Sequence, residues 1–345
     1  MHLETQLLAG VLSVELTLFA VAAVVYLAHG MWLSATRARR TERVVAAREA
    51  LMLALAAPEG HLAEHQSLRA LPKPIQFEVL AELAQSLGGT MNERIGEAAD
   101  ALGLTVRAER RCGSPLWWRR LQAVQQLALV GRGDRVVPPL LADRDAHVRA
   151  AAAAWSSDHP EPPTLVALMG LLESDRGSRF AVQDALLRLG DRAVPPVAGY
   201  LRVNDGEVVL PALRIAVGLA SPTFMAPALR LAGDPSPRVR SAAADLLGAV
   251  GGEEAVGALV LLLADPIAPV RGAAARALAR LDHWPAAARL ADLLLDEDWA
   301  VRRDAALALR GLGPTGEMLL MQAARADIAP AAQIARLTLA APAPA

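Results

Sequence analysis

Cysteine, lysine and aromatic residues are all scarce in this chain, and each shortage excludes something. The 345 residues contain one cysteine, Cys112, which excludes an intrachain disulfide framework and any multi-cysteine zinc or iron–sulfur centre. Aromatic residues make up 3% of the chain, poor material for a β-sandwich and ordinary for an Ala/Leu-rich helical protein. Neither sign of charge is in excess: 35 basic residues face 36 acidic ones, for a formal net charge of −1. That balance excludes a protein held broadly on nucleic acid by surplus positive charge, and no nucleic-acid partner is expected. Of the basic residues only Lys73 is lysine, an Arg/Ala bias that suggests a GC-rich bacterial genome. What the chain has in plenty is apolar residues, 54%, enough to exclude intrinsic disorder and to build a sizeable core.

The longest apolar stretch is N-terminal. Residues Leu7 to Leu33 carry one charge, Glu15, and Leu16 to Thr36 carry none. At helical rise the uncharged part spans roughly 30 Å, enough to cross a hydrocarbon core. No basic n-region precedes it, so an uncleaved single-pass anchor is expected over residues 1–36 rather than a signal peptide. Arg37, Arg39, Arg40 and Arg43 follow directly. The positive-inside rule then places the N-terminus outside and the remainder in the cytoplasm of a bacterial inner membrane. Glu15 is read as interfacial, with the alternative of an intramembrane carboxyl seeking a partner helix.

From about residue 113 a pattern recurs: an acidic residue, then six positions on an Arg preceded by Val and followed by small residues. The clearest copies run Asp143…Val148-Arg149, Asp234…Val239-Arg240, Asp265…Val270-Arg271 and Asp296…Val301-Arg302, with weaker ones at Arg120, Arg179 and Val209. A near-constant period held over seven copies is the mark of a repeat array. Each unit reads as two helices. In the unit opening at Asp234, the apolar residues Val239, Ala242, Ala243, Leu246 and Val250 have helical spacing, Gly251-Gly252 stops the first helix, and Ala255 to Leu263 forms a second. Pro138-Pro139, Pro195-Pro196, Pro227 and Pro285 are read as marking starts of first helices. A pair this small cannot bury its own face, so stacking neighbours must supply the core.

This pattern resembles the HEAT repeat, in the short form of about 30 residues also seen in phycobilisome lyases. The resemblance implies an all-α fold: an α-solenoid of HEAT-like helical hairpins preceded by one N-terminal transmembrane helix. The expected organisation is an anchor at 1–36, a juxtamembrane helical region at 37–112, the solenoid at 113–339 and a disordered tail at 340–345. The whole arrangement is similar to single-pass bacterial HEAT-repeat proteins, some of them associated with membrane glycosyltransferases.

The acidic/Arg series, Asp143, Arg149, Arg179, Asp234, Arg240, Asp265, Arg271, Asp296 and Arg302, is read as a structural ladder. Each Arg fork would bridge the carboxylate six residues before it and turn carbonyls, tying one repeat to the next. Partner binding is assigned to an outward row on the second helices, Ser241, Asp245, Arg276, Arg303 and Arg310, lining the concave side. His61-Leu-Ala-Glu64-His65 matches a zinc-protease pattern but follows Pro58-Glu59-Gly60 and lacks a third ligand, so it is read as surface. No His-Glu dipeptide, nucleophile elbow or phosphate-binding glycine loop occurs. No enzyme activity, catalytic residue, cofactor or metal is therefore expected. The function expected is a membrane-anchored cytoplasmic scaffold for a protein partner, with a lyase-like or other ligand-handling enzyme as the alternative.

Overall fold

The computed structural model describes residues 24–27, 29, 31–32, 41–49, 52, 69 and 71–341, except 87–89, 160, 175–176 and 327. No strand occurs among them. They fall in two compact units, Met1–Gly133 and Asp134–Ala345. Much of the expected anchor, together with Glu15, Arg37, Arg39, Arg40, the His61–His65 motif and most of the C-terminal tail, lies outside the described residues. Among the described residues no helix is long and apolar enough to cross a membrane.

Among its described residues the first unit includes the helices α1 (Lys73–Ser86), α2 (Thr90–Ala101), α3 (Leu104–Cys112) and α4 (Trp117–Leu129). Each touches the next, and α4 returns to α1. Leu80, Leu83, Ile95, Leu104 and Leu127 fill the middle and are wholly buried. Gly103 makes the bend between α2 and α3 at φ 66°, a left-handed conformation that a side chain disfavours. Residues 41–49 are helical and bear on this bundle, with Ala47 buried and Arg48 paired to Glu82 at 2.8 Å. Cys112 is buried in α3; burial, with a smaller contribution from Glu109, pushes its thiol up to about 11.

The second unit is an α-solenoid. Its first helices are α5 (Ala146–Ser156), α7 (Arg179–Arg188), α9 (Leu210–Leu219), α11 (Pro237–Val250), α13 (Ala268–Arg280), α15 (Trp299–Gly311) and α17 (Ala329–Ala340). Second helices alternate with them: α6 (Pro162–Ser174), α8 (Val194–Val203), α10 (Met225–Leu231), α12 (Glu253–Leu262), α14 (Ala287–Asp292) and α16 (Pro314–Arg325). Each first helix packs on the next first helix, most extensively α11 on α13 and α13 on α15. Small residues permit that approach. A Cβ built on Gly248 of α11 would lie 2.6 Å from the Ala277 methyl of α13 and 2.9 Å from its backbone. Behind this layer, Val239, Ala243, Leu246, Val270, Ala274, Leu278, Val301, Ala305 and Leu309 are buried at i, i+4 and i+7–i+8 spacing.

Two details differ from the sequence reading. Pro138, Pro195 and Pro285 lie at or beside the starts of second-layer turns, in a 3₁₀ turn (Pro138–Ala142), in α8 and in a 3₁₀ turn (Trp284–Ala286); Pro227 is the third residue of α10. First helices begin instead with Pro211, Pro237, Pro269 and Pro330. The physical rule is the same for both sets, since a first-turn N–H has no partner to lose. The array also continues one step further than the seven copies. α17 stacks on α15, with Gln333 standing 31 residues after Arg302 where Arg stood before.

Candidate functional site

The repeat arginines hold the array together, with a different bonding scheme from the one expected. Arg240 Nη1 donates to the backbone carbonyls of Asp234 and Pro235 at 3.0 and 3.1 Å. Its Nε and Nη2 donate to the carboxylate of Asp265, in the next repeat, at 2.8 and 2.9 Å. Arg271 does the same with the carbonyls of Asp265 and Pro266 and, at 2.7 and 2.8 Å, the carboxylate of Asp296. The carboxylate six residues before each Arg is therefore not its partner; the one 25 residues after it is. The preceding acidic residue supplies its main-chain oxygen, because its side chain turns back to cap its own loop. Asp143, Asp234, Asp265 and Asp296 each accept the N–H two residues on, at 2.8–2.9 Å.

These ion pairs are shielded from water: the Arg240 and Asp265 side chains are 14% and 7% exposed, Arg271 and Asp296 10% and 6%. Burial works to raise both carboxyls, but the hydrogen bonds from Arg and main-chain N–H, with the adjacent guanidinium charges, outweigh it. Asp265 and Asp296 are held below the ordinary carboxylate range.

The ladder changes at Arg179 and at Val209. Arg149 keeps the carbonyl bonds, to Asp143 and Arg144 at 2.6 and 3.0 Å, and Arg302 keeps them to Asp296 and Glu297. Residue 204, 25 positions after Arg179, is Asn, and Arg179 Nε is buried with no hydrogen-bond partner. At the next joint Val209 replaces the Arg. The Asp234 carboxylate there takes the Gly206 N–H at 2.9 Å, and the exposed pair Arg238–Glu207 spans the same joint at 2.7 Å.

The five residues assigned to partner binding lie on first helices: Ser241 and Asp245 on α11, Arg276 on α13, Arg303 and Arg310 on α15. Four of them come together. Ser241 and Asp245 line a groove of about 560 Å³ that runs across α9, α11 and α13. Its floor is apolar, from Leu210, Leu213, Val217, Ala242, Ile267 and Pro269, and Arg214, Arg238 and Arg280 stand at its rim. Asp245 is paired with Arg280 at 3.2 Å. A second hollow of about 260 Å³ shares Ser241 and Pro269 with the groove and adds Arg276 and Arg303. There both guanidiniums converge on the buried Asp304 carboxylate, Arg303 at 2.7 Å. Gly272 makes room for that carboxylate, since a Cβ there would lie 3.0 Å from its Oδ2. Arg303 also covers the exposed Trp299 ring at 5.3 Å.

Arg310 does not belong to this surface. Its Nη1 and Nη2 donate to the carbonyls of Thr338 and Ala341 at 2.6 and 2.7 Å, so it closes the C-terminal end of α17. Leu210 and Arg214 were missed by sequence reasoning. They stand one and five positions after Val209, as Ser241 and Asp245 stand one and five after Arg240, and that shared register was the signal. Among the described residues no group of three or more His, Cys, Asp or Glu could hold a metal ion.

Family comparisons agree with this geometry. A HEAT repeat model matches residues 224–251, and a HEAT repeats model matches 257–339. No curated protein matches the chain. Among solved structures, Kap95p in its RanGDP complex aligns at TM-score 0.51 and 12% identity, over 82% of this chain and 46% of its own. The chain thus spans under half of Kap95p. The CpcE–CpcF phycocyanin lyase complex from Nostoc sp. PCC7120 aligns at TM-score 0.37 and 22% identity, over 60% of this chain and 93% of that one. Human deoxyhypusine hydroxylase aligns at TM-score 0.30 and 18% identity, over 73% and 98%. Residues 224–251 and 257–339 are thus HEAT-like repeats by family model, and the helices there stack through the Arg–Asp ladder.

Proposed function

We propose that this chain is a membrane-anchored, non-catalytic scaffold that holds a protein partner in the groove across α9, α11 and α13. One observation carries the reading. The groove joins an apolar floor to an arginine rim, which suits an amphipathic segment presenting apolar side chains downward and an acidic one to Arg214. The shared solenoid fold is compatible with it, since Kap95p, of the same fold, binds RanGDP. Anchoring is supported by the uncharged run from Leu16 to Thr36 and by its described part. Val24, Val25, Tyr26, Leu27, Met31 and Trp32 are helical and turn 62–79% of their surface outward, an arrangement suited to lipid. The arginines after the run support a bacterial inner-membrane protein with the N-terminus outside and the solenoid in the cytoplasm. The partner we favour is a membrane enzyme of polysaccharide synthesis, such as a glycosyltransferase, which the anchor would keep at high local concentration.

The test is site-specific photo-crosslinking in native membranes, with the crosslinker at Ser241 of the full chain. A discrete adduct that disappears in Ala242→Glu and Arg214→Glu supports the groove. An adduct indifferent to both changes removes it. A reporter fused after Ala345 must read cytoplasmic; a periplasmic signal overturns the orientation.

A further inference from the structure

The first unit carries a cleft of its own, of about 750 Å³, between α1, α3 and α4. Five cationic side chains line it, Lys73, Arg107, Arg110, Arg111 and Arg119, together with Trp118 and no Asp or Glu. This concentration is local, because the chain as a whole is balanced in charge. Arg107, Arg110 and Arg111 recur at i, i+3 and i+4, so they share the outer face of α3, while Leu104, Ala108 and Cys112 bury the opposite one. Among the described residues no ion pair engages these three arginines. Lys73 is tied to the Leu102 carbonyl at 2.6 Å, so it contributes field rather than a free donor. Beside the cations stands an exposed apolar group: Val106, Leu116, Trp117 and Trp118 are 42–49% exposed.

We infer that this cleft binds the phosphate headgroup of an anionic phospholipid, with Trp117 and Trp118 set into the interfacial layer of the same bilayer. Guanidinium forks match phosphate oxygens two at a time, and indole rings beside them favour the headgroup depth of a membrane. A single-stranded nucleic acid is less well served. Arg119 lies over the Trp118 ring at 5.0 Å and occupies a face on which a base would stack. The site is separate from the solenoid groove and adds a lipid-selective contact that an apolar span cannot provide.

The experiment uses the full chain with Trp32→Phe, which removes the tryptophan of the proposed span, in nanodiscs of phosphatidylcholine doped with brominated phosphatidylglycerol or brominated phosphatidylcholine. Bromine quenches indole at contact. The expected result is stronger tryptophan quenching by the anionic lipid than by an equal fraction of the neutral one. Arg107→Gln/Arg110→Gln/Arg111→Gln should weaken the lipid dependence about 100-fold at an unchanged thermal midpoint. Equal quenching by the two lipids, or an excess that survives the triple change, overturns the inference. Suppression of the excess by millimolar inorganic phosphate assigns the same cleft to free phosphate and overturns the lipid source. Suppression by an RNA oligonucleotide overturns it in favour of nucleic acid. Should the chain stay out of neutral nanodiscs yet associate with anionic ones, the anchor reading fails and the lipid site stands.

Discussion

Arg271 and Asp296, 25 residues apart, meet through two hydrogen bonds of 2.7 and 2.8 Å while the same guanidinium grips the main chain of the preceding turn. One side chain thus fixes a turn internally and couples it to its neighbour. Removing one partner of so enclosed a pair leaves the other charge desolvated and alone. Arg271→Met and Asp296→Asn are each expected to lower unfolding free energy by about 3 kcal/mol. In a double-mutant cycle by urea denaturation, the double change should cost much less than the sum of the singles. Additive losses would show that the pair is not coupled.

The depressed carboxyls make a pH prediction. Asp265 and Asp296 bind protons less readily folded than unfolded, so the unfolded chain holds more protons in the acid range and stability rises with pH there. Their contribution is present above the ordinary carboxylate value of about 4 and is lost as pH falls through the lower folded values. Thermal midpoints followed from neutral pH downward should drop more steeply for the parent than for Asp296→Asn.

Gly248 is a close-approach position. Gly248→Ala should cost about 1–3 kcal/mol, because the obstructing atoms on α13 include backbone that has little freedom to move. Gly257 faces open space, and Gly257→Ala should be neutral or slightly stabilising by comparison. Denaturation of the pair provides the check.

Arg310 should behave as a structural residue. Arg310→Ala is expected to raise hydrogen exchange in residues 329–341 and to leave Ser241 crosslinking intact. Loss of crosslinking without a change in exchange would return Arg310 to the partner surface.

Cys112 should be silent as a nucleophile. With its thiol pushed up to about 11 and its side chain buried, iodoacetamide at pH 8 should leave it unmodified until denaturant opens the first unit. Rapid alkylation of the native protein would contradict that environment.

Much of this architecture is legible in the sequence because a repeat states its rule several times. The Val-Arg pair, the loop Asp and the Gly251-Gly252 stop locate helices, turns and the period. Which carboxylate meets which arginine is not legible in the same way. Asp265 stands six residues before Arg271 and 25 after Arg240, and both offsets recur with the period. Only the backbone shows that the Asp side chain curls onto its own loop and faces backward. The layer to which Ser241 and Arg276 belong was misjudged for a related reason: both helices of a unit are amphipathic, and pattern alone does not say which row is outermost. α17 falls within the expected solenoid bounds, but Gln333 occupies its Arg position, so no eighth copy of the motif marks it. Arg310 looked like a surface charge because its partners are carbonyls, which carry no sequence signature.

The Val209–Asp234 joint has a mechanical consequence. In a linear array each junction contributes its own coupling energy, and the weakest one decides where the array separates into independently fluctuating blocks. Here the shielded two-point ion pair is replaced by the Gly206–Asp234 main-chain bond, the exposed Arg238–Glu207 pair and two hydrogen bonds from Arg230 to the Leu201 and Asn204 carbonyls at 2.6 Å, so coupling between α9 and α11 rests on groups closer to solvent. The groove lies across that same joint. An occupant touching Leu210 on one side and Pro269 on the other would act as a splint, trading its own binding energy for stiffness along the solenoid.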